Sequence, residues 1–343
     1  MRTSALKLAC LLGATLAAGG CSIDQGPTIA EDCGQIPWPD SLPVYDHIVI
    51  LVEENKDNDL ILGPGSFAPY INETLKPMAA NFTQAYGEEH HSQGNYFWLF
   101  AGDNHVVGFE DENVTLAPGY PFSSRNVGSE LIDKGYTFKG YAQSLPEIGS
   151  TVWETENRYA RKHVPWIAFS NVPNGDTVET SSNLRFKDFP TTPEGFTQLP
   201  TVSFVIPDLV HDMHDGVPEE AVALGDTWLQ NNLGAYVTWA QDNNSLFILT
   251  FDENSDMEAF KGLTDPASED ISVKNQIATL MIGDHVKPGD YAEGPGINHV
   301  TMLRTIEAMY GLCRSGAQLP SAVHAGISDD MIITDIFQSE ELP

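Results

Sequence analysis

Five short apolar runs recur between Asp46 and Leu312. They are His47-Ile-Val-Ile-Leu-Val52, Tyr136-Thr-Phe-Lys-Gly-Tyr141, Thr201-Val-Ser-Phe-Val-Ile206, Leu246-Phe-Ile-Leu-Thr-Phe251 and Ala278-Thr-Leu-Met-Ile282. Each is rich in β-branched or aromatic residues, and most lack polar alternation. Continuous apolar strands of this kind predict a parallel sheet covered on both faces. Between them lie amphipathic stretches that predict helices over 127–134, 223–243 and 299–310. Strands alternating with helices predict an α/β class fold, a three-layer α/β/α sandwich around a mostly parallel central sheet. Residues 103–125 and 255–276 are polar and poorly periodic, and are expected to form long loops near the site or a cap.

The ends of the chain read differently. Arg2 and Lys7 precede an apolar stretch from Leu8 to Ala18, too short to span a bilayer, which reads as an export signal over 1–20. It ends in Leu16-Ala-Ala-Gly-Gly-Cys21, similar to a bacterial lipobox, so lipid attachment at Cys21 and a cell-surface or periplasmic location are expected, with plain secretion as the alternative. Residues 21–44 carry prolines and acids without periodicity and are expected to be a tether, leaving 45–343 as one catalytic domain. Cys33 and Cys313 then remain as an even pair in an oxidising compartment, and a disulfide between them is expected. No Cys-x-x-Cys or Cys-His pattern points to structural zinc.

Charge excludes one class of partner. Against 48 acidic residues stand 17 Lys and Arg, a formal charge of -31. Loss of the leader removes two cations and no acid, which takes the charge to -33. Such a chain repels nucleic acid. The acids also serve solubility, yet three apolar runs end in them: Glu53-Glu54-Asn55, Pro207-Asp208 and Asp252-Glu253-Asn254. Ligands of open α/β sheets bind beyond the carboxyl ends of strands, and oxygen-rich clusters there attract divalent cations. Each acid alone reads equally well as a helix cap or a solvated strand end.

A nucleophile candidate lies in His90-His-Ser-Gln-Gly-Asn-Tyr-Phe-Trp-Leu-Phe100, where Ser92 precedes an aromatic stretch that opens a helix. A helix N-terminus suits a phosphate, and metal coordination turns a serine hydroxyl into a usable nucleophile. Asn95 would donate to a phosphate oxygen. Ser92 as a simple N-cap is the competing reading. Histidines in Asp208-Leu-Val-His-Asp-Met-His-Asp215, His163 and His299 suit phosphate binding, metal ligation or leaving-group protonation, or else structure. His105 and His285 look peripheral.

These segments together resemble the phosphoesterase family of bacterial and fungal acid phosphatases and phosphatidylcholine-type phospholipases C, within the alkaline phosphatase superfamily. The resemblance runs over 46–313. It rests on Ile48-Val-Ile-Leu-Val-Glu-Glu-Asn55, His91-Ser-Gln-Gly-Asn-Tyr96 with Gly102-Asp103, Gly140-Tyr-Ala-Gln-Ser-Leu-Pro146, Lys162-His-Val-Pro-Trp166, Asp212-Met-His-Asp215, Thr250-Phe-Asp-Glu-Asn254 and Asn298-His-Val-Thr-Met-Leu-Arg-Thr-Ile-Glu307. It implies an alkaline-phosphatase-like fold and a divalent metal held by Glu54, Asn55, Ser92, Asp252 and Glu253. Ser92 would form a phosphoseryl intermediate. Asn95, His163, Asp208, His214 and His299 would line the phosphate and the leaving group. The sequence departs from the family at His91 and Gly94, which replace prolines, at Gln143, which replaces Glu, and over Lys56-Asp-Asn-Asp59.

The expected activity is hydrolysis of small phosphomonoesters. A phospholipase C-type diesterase acting on phospholipid is the runner-up, and a non-catalytic surface binding protein the third reading. The Cys/Ser-x-Pro-x-Arg context of sulfatases is absent around Ser92.

Overall fold

A computed structural model describes residues 37–39, 42–107, 113–156, 158–255, 275–292, 294–316 and 326–338. The leader, Cys21, Cys33 and most of the 255–276 segment lie outside the described residues.

The core is an eight-stranded sheet of β1 (His47–Glu53), β2 (Ala80–Phe82), β3 (Phe138–Ala142), β4 (Asn183–Arg185), β5 (Val202–Ile206), β6 (Ser245–Phe251), β7 (Leu280–Gly283) and β8 (Gly289–Tyr291). Their spatial order is β8-β2-β7-β6-β1-β5-β3-β4. β1 lies parallel between β6 and β5, and β3 parallel between β5 and β4. β7 runs against both β6 and β2, while β8 is parallel to β2, so β7 alone is reversed. Its apolar run resembles those of its parallel neighbours because any strand covered on both faces carries such a run, whatever its direction.

Helices α1 (Ser92–Ala101), α2 (Val127–Asp133), α3 (Pro218–Ala240) and α4 (His299–Met309) cover the sheet. Successive strand residues point to opposite faces, and β3 shows both layers. Phe138 meets Phe100 of α1 at 5.3 Å between ring centres. Tyr141 meets Phe189, which in turn packs on Tyr236 of α3.

Local chemistry sets the helix ends. Asn126 and Ser129 form a capping box on α2, and Asn298 and Thr301 form another on α4. α3 opens on Pro218 with Glu219 and Glu220 in its first turn, five residues before the predicted start. Every residue of α1 is buried, as fits a helix enclosed between sheet and α4. It stops at Gly102, where φ is +60° and a side chain would strike the Ser315 carbonyl.

Part of the expected tether is docked. Trp38 donates its indole N–H to the Leu312 carbonyl at 2.7 Å and lies under Arg314, 3.7 Å from guanidinium to ring centre. Cys313 beside them is disulfide-bonded. Among the described residues no helix is long and apolar enough to cross a membrane.

Candidate active site

Adjacent strands β6, β1 and β5 end on one edge, so the acids that follow them are neighbours in space. The Asn55 N–H donates to Asp252 Oδ1 at 2.9 Å, and the Glu253 N–H donates to the same oxygen at 2.6 Å. The Glu54 N–H donates to the Asp212 carbonyl at 2.8 Å, tying β1 to the turn after β5. Asn55 turns the chain with φ +50°, a region that Asn tolerates better than most residues.

Ser92 reaches this edge from the other side. It is the first residue of α1; the N-cap is His91, whose side chain makes no capping bond. The Ser92 hydroxyl is therefore free to point at acids: it lies 3.1 Å from Glu54 Oε2 and 3.4 Å from Glu253 Oε1. His90 Nδ1 stands 2.7 Å from Glu253 Oε2. Asn95 donates from Nδ2 to the Glu89 carbonyl at 2.7 Å and, more weakly, to Glu253 Oε2 at 3.4 Å. Its Oδ1 accepts the Glu88 and Glu89 N–H groups. His163 stacks on Tyr96 with ring centres 5.0 Å apart. Its Nε2 comes within 2.8 Å of Glu54 Oε1, but the alignment is not that of a hydrogen bond. Its Nδ1 lies 3.8 Å from Asp212 Oδ2.

The cluster crowds four acids near the buried Lys56, whose ammonium interacts with Glu54, Asp212 and Asp252. Glu54, Asp212, Asp252 and Glu253 are all buried. Glu54 Oε1, Asn55 Oδ1, Asp212 Oδ2 and Asp252 Oδ2 are buried without a hydrogen-bond partner. Burial, then the Glu54 charge, pushes Asp212 and Asp252 well above the usual carboxylate range. Burial acts on Glu54 in the same sense, but His163 and Lys162 outweigh it and hold Glu54 below that range. Carboxyl oxygens crowded in a dry pocket, where ionisation is costly until a counter-charge arrives, match the needs of a hard or borderline divalent cation. Among the described residues no three His, Cys, Asp or Glu side chains form a ready-made ligand cage; the contacts are pairwise.

Other candidates sit elsewhere. The Asp208 carboxylate accepts from Ser144 Oγ at 2.6 Å and Arg158 Nε at 2.8 Å, and lies 3.0 Å from His211 Nδ1, facing that network rather than Ser92. His214 is half-buried at the rim, 2.7 Å from Asp215. His299 is fully buried, with one ring nitrogen on Glu88 and the other on the Phe251 carbonyl, which leaves no nitrogen for a phosphate. Asp212, His90 and Tyr96 join the cluster although sequence reasoning assigned none of them a role. His90, two residues before Ser92, was findable. Asp212 was hidden among the three acids of this segment, where the chain turns through Met213 at φ +73°.

A profile of the phosphoesterase family matches residues 68–313. The chain belongs to the phosphoesterase family. It is a phosphoric ester hydrolase. The matched span takes in Ser92, His163, Asp212, Asp252 and Glu253 and begins after Glu54 and Asn55. This phosphoesterase is 43% identical over 276 residues to a phosphatidylinositol-3-phosphatase of Mycobacterium tuberculosis, covering 80% of each chain. It is 25% identical over 285 residues to a probable acid phosphatase of Kluyveromyces lactis, covering 79% of this chain and 60% of the yeast one. In fold, it matches an alkaline phosphatase superfamily protein from Vibrio parahaemolyticus with TM-score 0.54 at 14% identity, over 85% of this chain and 71% of that one. The lipoteichoic acid synthase LtaP of Listeria monocytogenes matches with TM-score 0.51 at 12% identity, over 85% and 79%.

Proposed function

We propose that the protein hydrolyses phosphomonoesters through a phosphoseryl intermediate on Ser92, with a divalent cation at the acid cluster. The observation that carries this reading is the Ser92 hydroxyl, buried at the head of α1 and within 3.4 Å of both Glu54 and Glu253. Glu54, Asn55, Ser92, Asp252 and Glu253 would hold the cation, which would lower the pKa of the hydroxyl and offset phosphate charge.

The chain's own residues do the rest. Glu54, kept ionised by His163, accepts the Ser92 hydrogen bond and aims Oγ. First-turn amides of α1 have no intrahelical partner and present their positive end to the phosphate. The Ser92 proton passes to Glu54 as the oxygen–phosphorus bond to Oγ forms and the ester bond breaks, and the leaving alkoxide takes a proton on the solvent side. We assign His214, at the rim, to that side. Water then cleaves the seryl ester, releasing phosphate and restoring the hydroxyl. Asn95 shapes the turn before Ser92, and Asp208 orients Arg158.

Both named relatives are phosphatases, which favours a monoester over a phospholipase C-type diester. The M. tuberculosis relative supports a phosphoinositide headgroup as substrate. The disulfide at Cys313 supports export, and lipidated Cys21 would keep the enzyme at a membrane surface.

Acid quench during turnover of p-nitrophenyl phosphate, followed by peptide mass spectrometry, tests the intermediate. We expect one phosphoryl group on the Ser92 peptide, and none in Ser92→Ala. Faster hydrolysis of bis(p-nitrophenyl) phosphate or phosphatidylcholine than of the monoester would reject the monoesterase reading. Undiminished turnover after chelation and verified metal removal would reject the cation.

A further inference from the structure

The peptide unit joining Phe251 to Asp252 is held at both ends. Its N–H donates to the Glu53 carbonyl of β1 at 3.0 Å. Its C=O accepts from His299 Nε2 at 2.8 Å. Peptide planarity converts these two bonds into a fixed plane, and that plane sets where the Asp252 side chain leaves the backbone. His299 is itself held, with Nδ1 2.6 Å from Glu88 Oε2, while Glu88 Oε1 accepts the Val300 N–H at the head of α4. Glu88 and His299 are both buried, so neither bond competes with water.

The backbone of Glu88 belongs to the segment that leads into Ser92. Its N–H donates to Asn95 Oδ1 at 3.0 Å, one turn into α1. Gly87 brings this segment so close to the acid arm that a Cβ there would lie 2.7 Å from the Asp252 carbonyl oxygen. Nucleophile and acids are thus joined by a continuous link: Ser92 helix, Asn95, Glu88, His299, Phe251, Asp252.

We propose that Glu88 and His299 are positioning residues that set the Asp252–Glu253 arm against Ser92 for cation binding, rather than groups that touch phosphate. This rests on the cation reading given above. Groups that hydrogen-bond to the residues holding a metal orient those residues without contacting substrate, and their loss costs about 10- to 100-fold in metal binding.

The test is isothermal titration of the metal-stripped full chain with Zn²⁺, Mn²⁺, Mg²⁺ and Ca²⁺ in parallel, read beside steady-state kinetics and thermal unfolding. His299→Gln, which can bond on only one side, should raise the Kd of the tightest cation about tenfold or more. It should lower kcat while KM stays within about twofold. Glu88→Gln can donate to a neutral ring that still donates to the Phe251 carbonyl, so it should restore affinity to within about threefold of wild type. Arg304→Gln serves as control: it breaks a buried ion pair with Glu307 farther along α4. It should lower Tm and leave the cation Kd alone.

An unchanged Kd in His299→Gln overturns the proposal, as does an equal loss in Arg304→Gln, which would mark the effect as general destabilisation. If His299→Gln does not fold, Glu88→Ala is read against the same two criteria. A wild-type chain that takes up no cation overturns the cation reading together with this one, whereas wild-type uptake with an unaffected His299→Gln overturns this one alone.

Discussion

Glu89 lies buried beneath the Ser92 turn with its carboxylate accepting from Trp98 Nε1 and Asn104 Nδ2. Burial outweighs those donors and pushes the group up to about 7 from 4.5. The folded protein therefore keeps a proton that the unfolded chain releases near pH 4.5. The stability this confers is complete below that pH and is lost as pH rises towards 7. In urea unfolding, wild type should lose up to about 2 kcal/mol more than Glu89→Gln between pH 5 and 7.5. Parallel pH profiles would show that the carboxyl titrates normally. Glu54 makes the opposite case, an ionised carboxylate between Ser92 and His163. Glu54→Gln keeps the shape and removes the charge; kcat should fall at least about a hundredfold with the circular dichroism unchanged. A variant that turns over normally would remove Glu54 from the chemistry.

Gly140 sits mid-strand in β3 where the Trp166 indole fills the space a side chain would take. Gly140→Ala should therefore destabilise by about 1–3 kcal/mol through overpacking, seen as a lower urea midpoint with KM unchanged. An unshifted midpoint would mean that the indole can move aside. The indole is fixed by its N–H bond to Asn183 of β4, which argues against such a shift. The contact also shows where sequence reading stops. The run from Tyr136 announced a strand because four of its six residues, Tyr136, Thr137, Phe138 and Tyr141, suit a pleated, half-buried surface. The glycine within it reads as a weakness until Trp166 is known to lie against it. Likewise β1, β5 and β6 were legible because five to seven successive buried residues leave a strong signal, whereas β2, β4 and β8 have three residues each and leave none. Ser92 was legible from the aromatic run that it opens. The choice of Asp212 over Asp208 was not, since it depends on backbone angles in a turn and on the partner Arg158 brought from 50 positions away.

At the scale of the whole molecule, charge and site oppose each other. A chain of net charge -31 repels a phosphate dianion at long range, while the site must attract it at short range. Raising ionic strength from about 0.01 to about 0.15 M shortens the screening length from about 30 to about 8 Å, which removes the first effect and spares the second. The kcat/KM for p-nitrophenyl phosphate should therefore rise severalfold across that range. A flat or falling profile would mean that the local field at the mouth already governs approach.

The burial of α1 on every side has a kinetic corollary. A helix with no solvent face has no route to local fraying, so its hydrogen-bonded amides beyond the first turn should exchange with deuterium only when the whole domain opens. The hydroxyl proposed to attack phosphorus would then ride on the slowest-exchanging part of the protein. In rising denaturant, catalysis and ellipticity should vanish along one and the same curve.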